Sequence, residues 1–315
     1  MVRDGHLIAL DWGTTHVRAA LLDQRGNALD VTTGESGVGT LDRDGFGQRF
    51  AALTEGWPQV PAIAAGMVGS RQGWHEAPYL TCPTGFEGLN AGLVCFQHGG
   101  RDIAIVPGLK MMQDTRRDVM RGEETQIAGF LTTRPSFSGT LVLPGTHSKW
   151  VYIQNGVVEH FTSYMTGDMF QALAHHTMLR PAVTESALES MAGDGPYTEG
   201  DTAFQDAIRD VITGEGSDLR RLFDLRARTL LDGLAPGAAR ERLSGLLIGM
   251  EIMAAAQDRY DVEAFHIIGS GALVRRYERA AAVLGAVVGV DVHCHDGSAL
   301  IWPALHTIAQ QAALV

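Results

Sequence analysis

The chain lacks most of what would mark a secreted, membrane-spanning or nucleic-acid-binding protein. No apolar run reaches the length of a membrane span, and the start MVRDGHL has no apolar core of a signal peptide, so a cytoplasmic protein without a membrane partner is expected. Cysteine is scarce. Cys82, Cys95 and Cys294 are an odd, scattered set without Cys-x-x-Cys spacing, which fits reduced core thiols better than a disulfide framework or a zinc site. Basic residues are in deficit: 25 Lys and Arg stand against 36 Asp and Glu, and a net charge of -11 is the wrong sign for a polyanionic partner such as nucleic acid. The Arg-rich runs at 116–121 and 275–279 are short and mixed, and read as solvated helix faces. His175, His176, His293 and His295 lack the acids and spacing of a metal site.

What is present is enough apolar residue, 45% of 315, to fill two cores. The most informative stretch is LIALDWGTTHVRAALLD at 7–23. Leu7 to Leu10 and Val17 to Leu22 read as a strand hairpin. In its turn Asp11 can hold Mg²⁺ through water, Gly13 permits close backbone approach, and Thr14 and Thr15 offer donors to phosphate oxygens. The same residues also suit a turn that only reverses the chain. A second copy at 140–158, TLVLPGTHSKWVYIQNGVV, repeats strand, polar turn, strand, Asn-Gly turn and strand. Here Gly145, Thr146, His147, Ser148 and Lys149 become candidate contacts to β- and γ-phosphates, with Lys149 a source of positive charge. Duplication of this kind predicts two similar α/β domains gripping one triphosphate across a cleft.

With these residues the chain resembles the actin-like ATPase and sugar kinase superfamily over nearly its whole length. More narrowly, GMVGSRQGWHEAPYL at 66–80, RGEETQIAGFL at 121–131, LPGTHSKWV at 143–151 and MTGDMFQAL at 165–173 are similar to the 2-dehydro-3-deoxygalactonokinase family. The resemblance implies an α/β fold of two actin-like (ribonuclease H-like) domains, with mixed sheets flanked by helices, facing across a nucleotide cleft. Residues 1–134 are expected to form the first domain and 135–315 the second, the crossing lying in the turn Pro135 to Gly139, with a terminal helix near 299–313 packing back at the hinge. It further implies ATP and Mg²⁺ as the nucleotide and metal, and phosphorylation of 2-dehydro-3-deoxy-D-galactonate at O6 in galactonate catabolism. A hydrolase on the same fold, a kinase for another sugar, and a nonenzymatic nucleotide or sugar sensor are the rivals.

On the acceptor side, Pro61 to Ala65 read as a buried strand ending in a glycine-rich loop. A sugar acid carries a carboxylate, and Arg71 can bind one through two parallel hydrogen bonds, with Ser70, Gln72, Trp74 and Glu76 beside it for the hydroxyls. The competing reading pairs Arg71 with Glu76 in an exposed loop. Gly122-Glu123-Glu124-Thr125 opens a helix, where acids also serve simply to complement the dipole. By resemblance Glu123 best matches the catalytic acid, although relatives usually have Asp there; Glu124 and then Asp168 are the alternatives, Asp168 also reading as the N-cap of a helix Met169 to Leu179. Residues 191–216 read mostly as a loop insertion with a short helix at 204–211. Helices are expected at 219–234 and at 240–260, the latter with Leu243, Leu246, Leu247, Met250 and Met253 on a buried stripe. Phe265 to Ile268 then read as a strand leading into Gly269-Ser270-Gly271-Ala272, a bare small-residue turn that by resemblance is the adenosine segment. A last strand at 287–290 precedes the terminal helix. Oligomeric state, a homo-oligomer included, is left open.

Overall fold

The computed structural model describes residues 4–35, 37–113, 116–183, 199–214, 217–258 and 260–315. In chain order the first elements are β1 (Leu7–Trp12), β2 (Val17–Leu22), β3 (Ala28–Gly34), α1 (Arg43–Leu53), β4 (Ala62–Gly66), β5 (Tyr79–Thr81), α2 (Phe86–Ala91), β6 (Val94–His98), β7 (Arg101–Ile105), β8 (Gly108–Gln113), β9 (Arg116–Met120) and α3 (Glu123–Thr132). There follow β10 (Gly139–Leu143), β11 (Ser148–Gln154), β12 (Val157–Tyr164), α4 (Thr166–His176), α5 (Arg180–Val183), α6 (Glu199–Ile212), α7 (Asp218–Leu231), α8 (Pro236–Gln257), β13 (Ala264–Gly269), α9 (Gly271–Val288), β14 (Asp291–Asp296) and α10 (Gly297–Gln311).

Two sheets share one plan. The first runs β3-β2-β1-β4-β7-β6 and the second β12-β11-β10-β13-β14, so each has three successive strands on one side and later strands added beyond the first. This is the mixed, ribonuclease H-like order expected. In the first sheet β1 pairs antiparallel with β2 and parallel with β4; in the second, β10 and β13 are parallel. Central strands β1 and β4 are nearly continuous apolar runs, LIALDW and AIAAG, because helices cover both faces, whereas edge strand β3 is largely exposed. A third sheet, β5-β8-β9, has no counterpart in the sequence reading.

The chain divides into two compact units, one of Met1–Ser138, Val151–Phe161 and Asp296–Val315, the other of Gly139–Trp150 and Thr162–His295. In the first, Trp12, Phe46, Phe50, Ile103 and Ile105 form a core, each such fully buried side chain being worth about 1.5–3 kcal/mol. Helix α10, capped by Asp296 accepting from Ser298 N at 2.9 Å, packs on α3 so closely that a side chain at Gly129 would meet Leu300 O at 2.1 Å. In the second unit α8 is the central helix. A side chain on its Gly245 would meet Phe204 O at 2.4 Å, which is how α6 and α8 come together.

Several sequence expectations change. Residues 191–198 and 215–216 lie outside the described residues; the short helix expected at 204–211 is present but longer, spanning 199–212, because Phe204, Ala207 and Ile208 are buried against α8. The strand expected at 287–290 begins at Asp291, since α9 continues to Val288. The run 116–121 is strand β9 followed by a buried Arg121, not a helix face; 275–279 does lie on helix α9 with Arg275 exposed, but Arg276 turns in to pair with Glu241. Of the cysteines, Cys82 is buried but Cys95 and Cys294 are exposed, so two of the thiols are not core residues. No helix among the described residues is long and apolar enough to cross a membrane.

Candidate active site

In the first unit the candidate residues gather at the carboxyl ends of β1 and β4, where α/β sheets leave room for ligands. The register Asp11↔Ala65 and Trp12↔Gly66 sets Asp11 beside the end of β4. Gly66 turns there with φ +94°, and a side chain on it would lie 2.8 Å from Trp12 O. Gly122 has φ +109°, and its side-chain position lies 3.5 Å from the Gly66 Cα. Two glycine turns therefore bring Asp11, the loop after β4 and the head of α3 together.

Asp11 accepts from Arg18 across the hairpin, at 2.7 Å from Nη2 and 3.2 Å from Nε, both on Oδ2. Oδ1 carries no hydrogen bond among the described residues, and the side chain is 28% exposed. Thr14 and Thr15 are exposed at the turn. The turn is braced from behind: Val38 N donates to Gly13 O and Gly39 N to Thr14 O, each at 3.0 Å. Any side chain at Gly37 would strike the Thr14 carbonyl at 2.3 Å.

In the loop after β4, Arg71, Gln72 and Glu76 are exposed, and Arg71 has no ion pair among the described residues, Glu76 included. The Ser70 hydroxyl is buried without a hydrogen-bond partner among them. Trp74 departs from its expected place beside the substrate. Its ring packs among Trp12, Phe46, Phe50, Phe96 and His98, with centroids 5.0–6.4 Å away, so it anchors the loop to the core.

The two acids of α3 differ sharply. Glu124 is 1% exposed; its Oε2 accepts from Gly122 N at 2.7 Å and its Oε1 from Thr125 Oγ1 at 3.1 Å. Burial, with the Glu123 charge adding to it, pushes the Glu124 carboxyl up to about 8. Glu123 is partly exposed and accepts from Arg121 N at 3.1 Å. Arg121 itself is held under the loop, donating to Ala77 O at 2.7 Å with its guanidinium 4.2 Å from the Tyr79 ring centroid.

In the second unit the turn after β10 meets the head of α4. Asp168 N donates to Thr146 O at 2.9 Å, and a side chain on Gly167 would lie 2.4 Å from Gly145 O. Asp168 is therefore not the N-cap, a position Met165 occupies; it lies in the first turn, 3.8 Å from the His147 ring in a half-exposed contact. Thr146 and His147 are exposed, but Ser148 and Lys149 are 0% and 3% exposed. Ser148 Oγ lies 2.7 Å from the Tyr277 hydroxyl and Lys149 Nζ donates to His147 O at 2.9 Å, so both support the turn from inside.

Next to that turn is a cavity of about 430 Å³, lined by Gly145, Thr146, Gln171, Arg240, Arg276 and Tyr277 among others. That is the size of a small-ligand site. Ser270, Gly271 and Ala272 are exposed at the strand-to-helix turn, and Gly269 ends β13; the cavity wall starts at Leu273, one residue further on. The α8 residues Arg240 and Ser244 were missed by sequence reasoning. Their spacing of four along a helix was a usable signal, hidden because the adjacent Leu and Met stripe already explained the helix. Arg240 stacks on Phe170 at 4.9 Å, while burial, and secondarily Arg276, lower its pKa. Such a cation fits an anionic or π-rich ligand.

The sequence profile described as 2-keto-3-deoxy-galactonokinase matches residues 11–308. A protein of Escherichia coli named 2-dehydro-3-deoxygalactonokinase is 32% identical over 308 residues, covering 97% of this chain and 98% of its own length. A Rhizobium meliloti protein named "Probable 2-dehydro-3-deoxygalactonokinase" is 35% identical over 283 residues, 89% and 90% of the two chains. A crystal structure of a Sinorhizobium meliloti protein assigned to that activity superposes with a TM-score of 0.86 at 33% identity, covering 97% of this chain and 99% of that one.

Proposed function

Because the chain belongs to the 2-keto-3-deoxy-galactonokinase family, we propose that it transfers the γ-phosphoryl group of ATP to O6 of 2-dehydro-3-deoxy-D-galactonate, in the cytoplasm, as a step of galactonate catabolism. The observation that supports this reading is that Asp11, the loop after β4 that carries Arg71, and the head of α3 that carries Glu123 meet at the carboxyl ends of β1 and β4: a carboxylate with one oxygen uncommitted, an arginine without an ion pair among the described residues, and an acid on a glycine turn.

Glu123 is the acid suited to accept the acceptor's proton. A base must be ionised at working pH and reach the hydroxyl. Glu123 is partly exposed, whereas Glu124 is sealed in the turn and holds its proton to about pH 8. As O6 bonds to the γ-phosphorus, its proton passes to the Glu123 carboxylate and the bond from phosphorus to the bridging oxygen of ADP breaks. Alignment and charge stabilisation carry most of such a transfer. Arg71 grips the sugar-acid carboxylate, with the unpartnered Ser70 hydroxyl, Gln72 and Glu76 meeting the hydroxyl groups.

The candidates for phosphate contact are, in the first unit, the exposed Thr14 and Thr15 beside half-buried Gly13 and, in the second unit, the exposed Thr146 and His147 beside half-buried Gly145. The cavity beside the second turn takes the base and ribose. Mg²⁺ fits Asp11 through water: no group of three or more acidic, His or Cys ligands exists among the described residues, and Mg²⁺ keeps its waters and uses one or two carboxylates with phosphates. It would supply charge neutralisation on the β- and γ-phosphates.

The test is to incubate the protein with ATP, Mg²⁺ and a panel of sugar acids. ADP release that depends on the keto-deoxy acid is expected. Release independent of any sugar points to a hydrolase, and none at all removes the kinase reading.

A further inference from the structure

Behind the second turn lies a carboxylate that the proposed chemistry does not use. Glu251 of α8 is 3% exposed. Its Oε1 accepts from the Trp150 indole N–H at 2.8 Å; its Oε2 accepts from the Tyr277 hydroxyl at 2.6 Å and from the Thr166 hydroxyl. With the Tyr277 hydrogen committed to the carboxylate, the Ser148 hydroxyl 2.7 Å away donates to the phenol oxygen. Burial holds the Glu251 carboxyl above its ordinary value, against the opposing pull of the hydrogen bonds from Thr166, Tyr277 and Trp150.

The donors come from separate elements: β11 supplies Ser148 and Trp150, α4 Thr166 and α9 Tyr277, all tied to α8. Two of them, Thr166 and Tyr277, also line the cavity, and Ser148 directly follows Thr146 and His147. A well-packed apolar residue would hold these elements together at least as stably as a buried charge does. What an apolar residue cannot do is fix three donors, and hence three elements, in one arrangement.

We propose that Glu251 is a positioning residue for the nucleoside triphosphate: through Tyr277, Thr166 and Ser148 it locks the cavity wall and the Gly145–His147 turn together, so that seating of the base and ribose is energetically coupled to phosphate contact. This rests on the reading of the cavity as the nucleotide's.

The experiment uses the full chain. Tyr277→Phe removes one hydroxyl, Thr166→Val removes another at constant shape, and Thr166→Ser restores it. Losing one hydrogen bond to a charged group should raise KM for ATP about tenfold in the first two variants and leave KM for the sugar acid within about twofold. Thr166→Ser should stay within about threefold of wild type. In a double-mutant cycle the penalty of Thr146→Ala should shrink at least about threefold in the Tyr277→Phe background. Unchanged KM for ATP, equal rises in KM for both substrates, or additive penalties overturn the proposal. If Tyr277→Phe does not fold by circular dichroism, the Thr166 pair decides. If wild type turns over no sugar acid, the kinase reading falls by itself, and binding of a nonhydrolysable ATP analogue to the same variants still decides this one.

Discussion

Gly122 donates its N–H to Glu124 Oε2 at 2.7 Å, so the buried acid of α3 holds in place the turn that presents its neighbour Glu123. Adjacent residues of one type thus differ in setting: one fixes the turn, and the other, partly exposed, is the proposed base. Glu123→Gln should lower kcat by about 10²–10⁴, the range for loss of a general base, with KM for ATP nearly unchanged. Glu124→Gln should lower it by less than about tenfold, because the amide oxygen still accepts from Gly122. Steady-state kinetics of the two variants decide the assignment, and the reverse ranking would move the base to Glu124.

The same pair predicts a pH dependence of stability. Burial, then the Glu123 charge, raises Glu124 from 4.5 to about 8 in the folded protein. Between those values the native state keeps a proton that the unfolded chain has lost. This contribution is complete below the unfolded value and disappears as pH rises through the folded one. Wild type should therefore lose stability relative to Glu124→Gln by up to about 1.4 kcal/mol per pH unit over that window. Denaturant melts from about pH 5 to about pH 9 read it, and parallel curves would contradict it.

Asp11 shares one oxygen with Arg18 and keeps the other uncommitted. If it orders Mg²⁺ through water, Asp11→Asn should raise the Mg²⁺ concentration for half-maximal activity by about ten- to a hundredfold, as loss of an outer-shell partner does. A Mg²⁺ titration at saturating ATP measures this. An unshifted midpoint would leave Asp11 as a hairpin ion pair only.

Arg71 has no ion pair among the described residues and stands in an exposed loop. Arg71→Ala should raise KM for the sugar acid by about ten- to a hundredfold, and Arg71→Lys should recover little of it, since a lysine cannot make the paired contact. KM for ATP should stay constant. A rise in KM for ATP instead would place Arg71 on the phosphates.

Much of this arrangement was legible because it is local. The hairpin β1–β2 announces itself by two apolar runs around Asp11-Trp12-Gly13-Thr14, and its counterpart β10–β11 by repetition. The turns Gly66 and Gly122 were visible as glycines, but their proximity depends on parallel pairing between distant strands. Trp74, Ser148 and Lys149 looked like ligand contacts because polar or aromatic residues in a glycine-rich stretch usually face solvent; tertiary packing turned them inward. The cavity wall was least legible. Arg240 and Ser244 lie on a helix whose apolar stripe reads as ordinary core, and only the fold sets that helix beside Thr146.

The most direct test of phosphoryl transfer to a sugar acid is identification of the product. After complete reaction of ATP with 2-dehydro-3-deoxy-D-galactonate, phosphorus NMR and mass spectrometry should find one phosphomonoester per ADP, coupled to the C6 methylene protons. Inorganic phosphate in place of that ester, or an ester on another oxygen, would contradict the account.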